Sequence, residues 1–182
     1  MKIFLLLLIC FGISLTASAG TYNYADIGFG ISKINSSTDN EEIDDDVDKL
    51  DLIGAFKVAT GSRIGRSLHT WFELSYIYQE PRKIVESEVT NHYLLLGFKF
   101  TTDPKADLSV FIKLSGGKVF SKFSQPSDAS SDSAMVYSGS LGTSFRLNKK
   151  QSINFEVQSI FSEIETGSLY NNFFIVSLNQ FL

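Results

Sequence analysis

Two histidines, His69 and His92, are the side chains of this 182-residue chain best placed for proton transfer near neutral pH. Ser87 and Glu88 lie close to His92 in sequence, so a centre of serine, histidine and acid is one chemistry to weigh. No G-x-S-x-G nucleophile motif accompanies them, and a histidine beside a polar loop explains the same residues. No catalytic residue is therefore assigned, and the chain is not expected to be an enzyme. Asp44, Asp46 and Asp48 have the one-three-five spacing of a calcium loop. The sixth place is Lys49 where glycine is needed, and the twelfth is Ala55 where glutamate is needed, which rejects an EF-hand. A solvated acidic loop is the expectation for residues 39–48, with loose divalent binding left open, and no metal or cofactor is assigned.

More informative are lysines inside apolar stretches. In "LLLGFKFTTDPKADLSVFIKLSGG", from Leu94 to Gly117, Lys99 and Lys113 each interrupt a greasy segment. Period-two alternation puts Leu94, Leu96, Phe98 and Phe100 on one face, and Leu95, Gly97, Lys99 and Thr101 on the other. After the turn, Leu108, Val110, Ile112 and Leu114 oppose Ser109, Phe111, Lys113, Ser115 and Gly117. Both lysines thus lie opposite the leucines. A tight hairpin around 103–107 would set Gly97 across from Lys113, leaving it room. The same face carries Glu73 and Glu156, and by its own alternation Lys57. Buried charge is tolerable when paired and hydrogen-bonded, so Lys57, Glu73, Lys99, Lys113 and Glu156 are expected to form a structural ion-pair network.

Alternation requires strands, and about eight segments show it: roughly 22–33, 50–60, 68–78, 94–102, 108–117, 134–147, 152–162 and 171–182. The three prolines fall in expected turns or loops. Connections alternate between short ("GSRIGRS", "TDPKAD", "NKKQ") and longer polar ones near 34–49, 79–88, 121–133 and 163–170. The expected fold is all-β, an eight-stranded antiparallel up-and-down barrel.

Which face meets water is settled by composition. The face opposite the leucines is mostly serine, glycine, asparagine and threonine, unlike the charge-rich surface of a soluble barrel. Such residues suit the narrow interior of eight strands. A lysine facing lipid at the bilayer midplane costs about 2–4 kcal/mol, so Lys99 and Lys113 point inward if the leucines face lipid. Tyr22, Tyr24, Tyr76, Tyr78, Tyr137, Tyr170 and Phe181 fall near strand ends, where aromatic girdles would lie.

The N-terminus agrees with export. "MKIFLLLLICFGISLTASAG" has a basic start, an apolar run and Ala17-Ser18-Ala19, which predicts a signal peptide over 1–19 and a barrel domain over 20–182. The single cysteine, Cys10, lies in that leader behind Leu8 and Ile9, not in a lipobox, so no disulfide scaffold or thiol chemistry is expected of the remainder. A formal net charge of −4, with much of the acidity in 39–48, excludes a basic nucleic-acid surface.

With the leader, the strand rhythm and the terminal "NNFFIVSLNQFL", the chain resembles the small OmpA/OmpX-type outer-membrane barrels of Gram-negative bacteria. In that family the last strand alternates apolar residues and ends in an aromatic; here Phe174, Val176, Leu178 and Leu182 alternate, Gln180 interrupts, and Phe181 precedes the final leucine. The resemblance implies a monomer in the outer membrane, among outer-membrane lipid and lipopolysaccharide, assembled by the barrel-assembly machinery. It also implies a structural or surface-interaction role, with an extracellular ligand at the loops. The alternatives are a narrow channel, which a side-chain-filled interior disfavours, and a lipid-modifying enzyme.

Overall fold

A computed structural model describes residues 23–38, 52–64, 69–84, 87–124, 129–164 and 167–182. The expected signal peptide, 1–19, and the acidic loop, 39–48, lie outside them. The described residues form eight strands: β1 (Asn23–Thr38), β2 (Ile53–Arg63), β3 (Thr70–Ile84), β4 (Ser87–Thr101), β5 (Leu108–Ser124), β6 (Ala129–Arg146), β7 (Gln151–Ile164) and β8 (Gly167–Phe181). Each pairs antiparallel with its neighbours, and β8 pairs with β1, closing an up-and-down barrel with no free edge. Among the described residues there is no helix.

Side chains obey the period-two pattern. Leu96, Phe98, Leu114, Leu141, Val157, Phe174 and Leu178 are exposed on the outer face, while Leu95, Val136 and Ile77 are fully buried inside. An outer wall of bare leucine, valine and phenylalanine is far beyond what a water-facing sheet carries, and it matches lipid. The C-terminal strand keeps its alternation, and Gln180 is accommodated by hydrogen bonds with Gln151 (3.0 Å) and the Phe181 carbonyl (3.0 Å).

Two short turns are built from local side-chain chemistry. Asp103 Oδ1 accepts from the Lys105 amide (2.8 Å), and Asn148 Oδ1 accepts from the Lys150 amide (2.8 Å), each an Asx-type closure. At the opposite end the strands run further than expected. The regions read as loops near 79–88, 121–133 and 163–170 are largely ladder, in β3–β4, β5–β6 and β7–β8. Polar residues there show no alternation, yet each arm supplies the other's backbone partners, so the ladders extend beyond the apolar wall. Pro81, expected in a loop, sits in β3 where the register shifts between Gln79 and Arg82. A bulge tolerates its missing amide.

Candidate functional site

The barrel interior is layered. Towards the short-turn end lie Trp71, Lys99 and Arg146. In the middle lie the charges. Towards the other end, Ala55, Ile77, Tyr93, Leu95, Val119, Val136, Ile160, Phe173 and Ile175 form one apolar core. Beyond it Gln79 donates to Ser32 Oγ (2.7 Å) and accepts from Asn91 (2.9 Å) and Asn171 (3.1 Å), which also donates to the Tyr93 hydroxyl (2.8 Å). A serine- and glycine-lined interior was expected; the large apolar residues on it are the finding that fills the lumen.

The charged layer brings four of the five expected residues together. Glu156 Oε2 accepts from Lys57 Nζ at 2.9 Å and from Lys113 Nζ at 3.1 Å. Lys113 Nζ also donates to Glu73 Oε1 at 3.0 Å, and Lys57 reaches Gln158 Oε1 at 3.4 Å. All four side chains are more than nine-tenths buried. Lys113 is the bridging cation, arriving from β5 between carboxylates on β3 and β7.

Lys99 does not join. It makes no ion pair among the described residues and instead lies over the rings of Tyr24 (4.7 Å) and Phe111 (4.5 Å). Register explains this. Lys99 pairs directly with Lys113, and Gly97 pairs with Ser115, two residues away from the expected Gly97–Lys113 match. Two ammonium groups directly across a ladder repel. Phe111 stands near both, with Lys113 at 5.2 Å from its ring. One lysine turns to carboxylates and the other to π-faces, which attract a cation.

Three participants escaped the sequence reading. Tyr24, expected in a girdle, is buried and donates its hydroxyl to Glu73. Gly61 makes this approach feasible, since a Cβ there would meet Tyr24 Cζ at 2.5 Å. Phe111 covers Gly142 in the same manner, a Cβ there meeting Phe111 Cε2 at 2.7 Å. Asp26 is 1% exposed and supplies a third interior carboxylate. Its signal was present: Ile27, Phe29 and Ile31 face out, so Asp26 must face in. Phe181 also departs from the girdle and lines the short-turn mouth, whereas Tyr137 and Tyr170 are exposed on the outer face.

The residues weighed for catalysis do not converge with the interior. His92 is half-buried on the outer wall, its Nδ1 2.7 Å from the Tyr76 hydroxyl and its ring 5.4 Å from that of Tyr78. His69 is exposed near the short-turn end, on the stretch preceding β3. The Ser87 side chain and Asp44, Asp46 and Asp48 lie outside the described residues.

No family model and no curated protein matches the chain. Solved structures do. Neisserial surface protein A aligns with a TM-score of 0.74 at 9% identity, over 90% of this chain and all of that one. Ail, the attachment invasion locus protein of Yersinia pestis, aligns at 0.59 and 13% identity over 90% of this chain and all of its own. The N-terminal β-barrel domain of Pseudomonas aeruginosa OprF aligns at 0.51 and 10% identity, covering 86% and 96%. The chain has the fold of the small eight-stranded outer-membrane barrels, the architecture its strand rhythm resembles.

Proposed function

We propose that this protein is an outer-membrane barrel, monomeric and delivered by the barrel-assembly machinery, whose role is structural or one of surface interaction. The observation that carries this reading is the filled interior. Ile77, Leu95 and Val136 are 0% exposed, and the Lys57–Glu156–Lys113–Glu73 layer lies directly behind them. A solute has no axial route, so a channel is disfavoured and the outer surfaces are left to act. His92 serves packing on the lipid wall in this reading, with no nucleophile assigned beside it. The strands that extend past the apolar wall present Lys122, Ser131 and Ser133 to solvent, next to lipopolysaccharide.

The structural neighbours support an interaction role. One is described as a surface protein, and Ail has been captured with the heparin analogue sucrose octasulfate. The test is binding of intact cells carrying the protein to a panel of immobilised sulfated glycans and host matrix proteins, with loop-deleted variants alongside. Saturable binding lost on loop deletion is the expected result. Single-channel conductance in planar bilayers would overturn the filled-interior reading, and altered lipid A by mass spectrometry would shift the assignment to an enzyme.

A further inference from the structure

The short-turn end carries a feature that neither the ion-pair layer nor the surface role uses. A pocket of about 280 Å³ opens there, at the mouth of the barrel. Its cations come from three places: Arg63 and Arg146 at the ends of β2 and β6, Lys105 in the β5 turn, and Lys149 and Lys150 in the β7 turn. Asp103 and Asp107 are the described carboxylates in those turns, and among the described residues neither forms an ion pair with Lys105, Arg146, Lys149 or Lys150. Asp103 is engaged with the Lys105 backbone amide.

The arrangement is partly fixed. Arg146 donates through Nε to the Asn148 carbonyl (3.0 Å) and through a terminal nitrogen to the Lys105 carbonyl (2.5 Å), tying two turns together across the mouth. Its other terminal nitrogen makes no hydrogen bond among the described residues. The walls are aromatic: Phe181, and Trp71 with the Arg63 guanidinium 5.7 Å from its ring. A second, smaller cavity shares Trp71, Pro104, Arg146 and Phe181 with the first and reaches Lys99. Lys99 is 7% exposed, and its ammonium has no hydrogen-bond acceptor among the described residues. Asp26 and Glu73 face it from deeper in the barrel without pairing with it. The smaller cavity thus extends the mouth inward as far as this ammonium, which rests on the Tyr24 and Phe111 rings.

We propose that this mouth binds a phosphate-bearing anion, held by Arg146 and the turn lysines, with the smaller cavity that Lys99 lines lying behind it. Phosphate suits the site better than a single carboxylate. Its several oxygens accept from cations arriving from different directions, and guanidinium recognises it in a fork geometry. Trp71 and Phe181 would flank whatever ring or chain the phosphate carries. A soluble phosphate ester and a lipid headgroup at the membrane boundary present the same group, and the recognition chemistry is the same.

Trp71 is the single tryptophan of the chain and lies in the pocket wall, so its emission is a direct reporter. The full barrel, refolded in a non-ionic detergent free of phosphate, is titrated with inorganic pyrophosphate at constant ionic strength. The wild type and Lys118→Gln, altered at the other end, should give the same saturable change. Lys149→Gln combined with Lys150→Gln, both exposed, should weaken binding by about tenfold, with the folded barrel verified by its gel mobility. A response matched by chloride, equal binding in the double variant, or no saturable response would each overturn the proposal. Bilayers separate the sources. A response to pyrophosphate in phosphatidylcholine assigns a soluble ligand; a change on adding phosphatidylglycerol alone, lost in the double variant, assigns the headgroup. Silence in both refutes the site.

Discussion

Replacing Glu156 with glutamine removes one charge from the centre of the interior layer and keeps the volume. Glu156 Oε2 is the shared acceptor of Lys57 and Lys113, and its side chain is 1% exposed. After the change Lys113 keeps Glu73 at 3.0 Å, but Lys57 keeps only Gln158 at 3.4 Å. Lys57 would then be a buried ammonium without a carboxylate. Breaking a buried pair by removing one partner costs about 3–5 kcal/mol, a fifth or more of the ~5–15 kcal/mol that holds an ordinary domain together. Glu73→Gln should cost less, because Lys113 retains Glu156 and the Tyr24 hydroxyl can still donate to an amide oxygen. Coupling follows too: with Lys57→Met already made, Glu156→Gln leaves no stranded ammonium, so the double variant should lose less than the sum. The assay is urea unfolding of the refolded barrel in lipid vesicles, followed by Trp71 emission. A Glu156→Gln barrel within about 0.5 kcal/mol of wild type, or losses at Glu73 and Glu156 that simply rank in reverse, would refute the network as drawn.

Other substitutions test neighbouring parts of the account by the same unfolding measurement. Lys99→Met should cost less than Lys113→Met, since Lys99 leaves behind two aromatic faces and Lys113 leaves behind two carboxylates. On β6, Gly142→Val should destabilise by about 1–3 kcal/mol by driving into Phe111 and the Phe155 carbonyl, whereas Gly139→Val, which meets nothing within 4 Å, should be tolerated. Leu114→Arg on the outer wall should cost about 2–4 kcal/mol in a bilayer and much less in detergent, which can adapt around the charge.

Much of this architecture was legible because two faces meet different media. Where one face meets lipid and the other a packed lumen, alternation is forced, and the leucines of β4 and β5 declare the inside and outside of every residue between them. Lys57, Glu73, Lys113 and Glu156 follow from that parity alone. Parity does not supply register. Whether Lys99 faces Lys113 or Gly97 does depends on how the 102–107 turn closes, and Pro104 with Asp103 sets that by an Asx closure no face pattern encodes. Nor does it supply strand length, since polar ladders past the lipid wall alternate between water and water. Tyr24 and Phe181 were misjudged by proximity to strand ends, when the parity of Ile27 and Leu178 already turned them inward.

The central claim is a closed barrel with its leucines in lipid and its charges inside. It is tested most directly by fractionating cells and running the membrane protein on a gel, unheated and boiled. The protein should be recovered in the outer-membrane fraction, in a compact unheated form that resists detergent and shifts on boiling. A protein recovered from the soluble periplasmic fraction with no heat shift would contradict it.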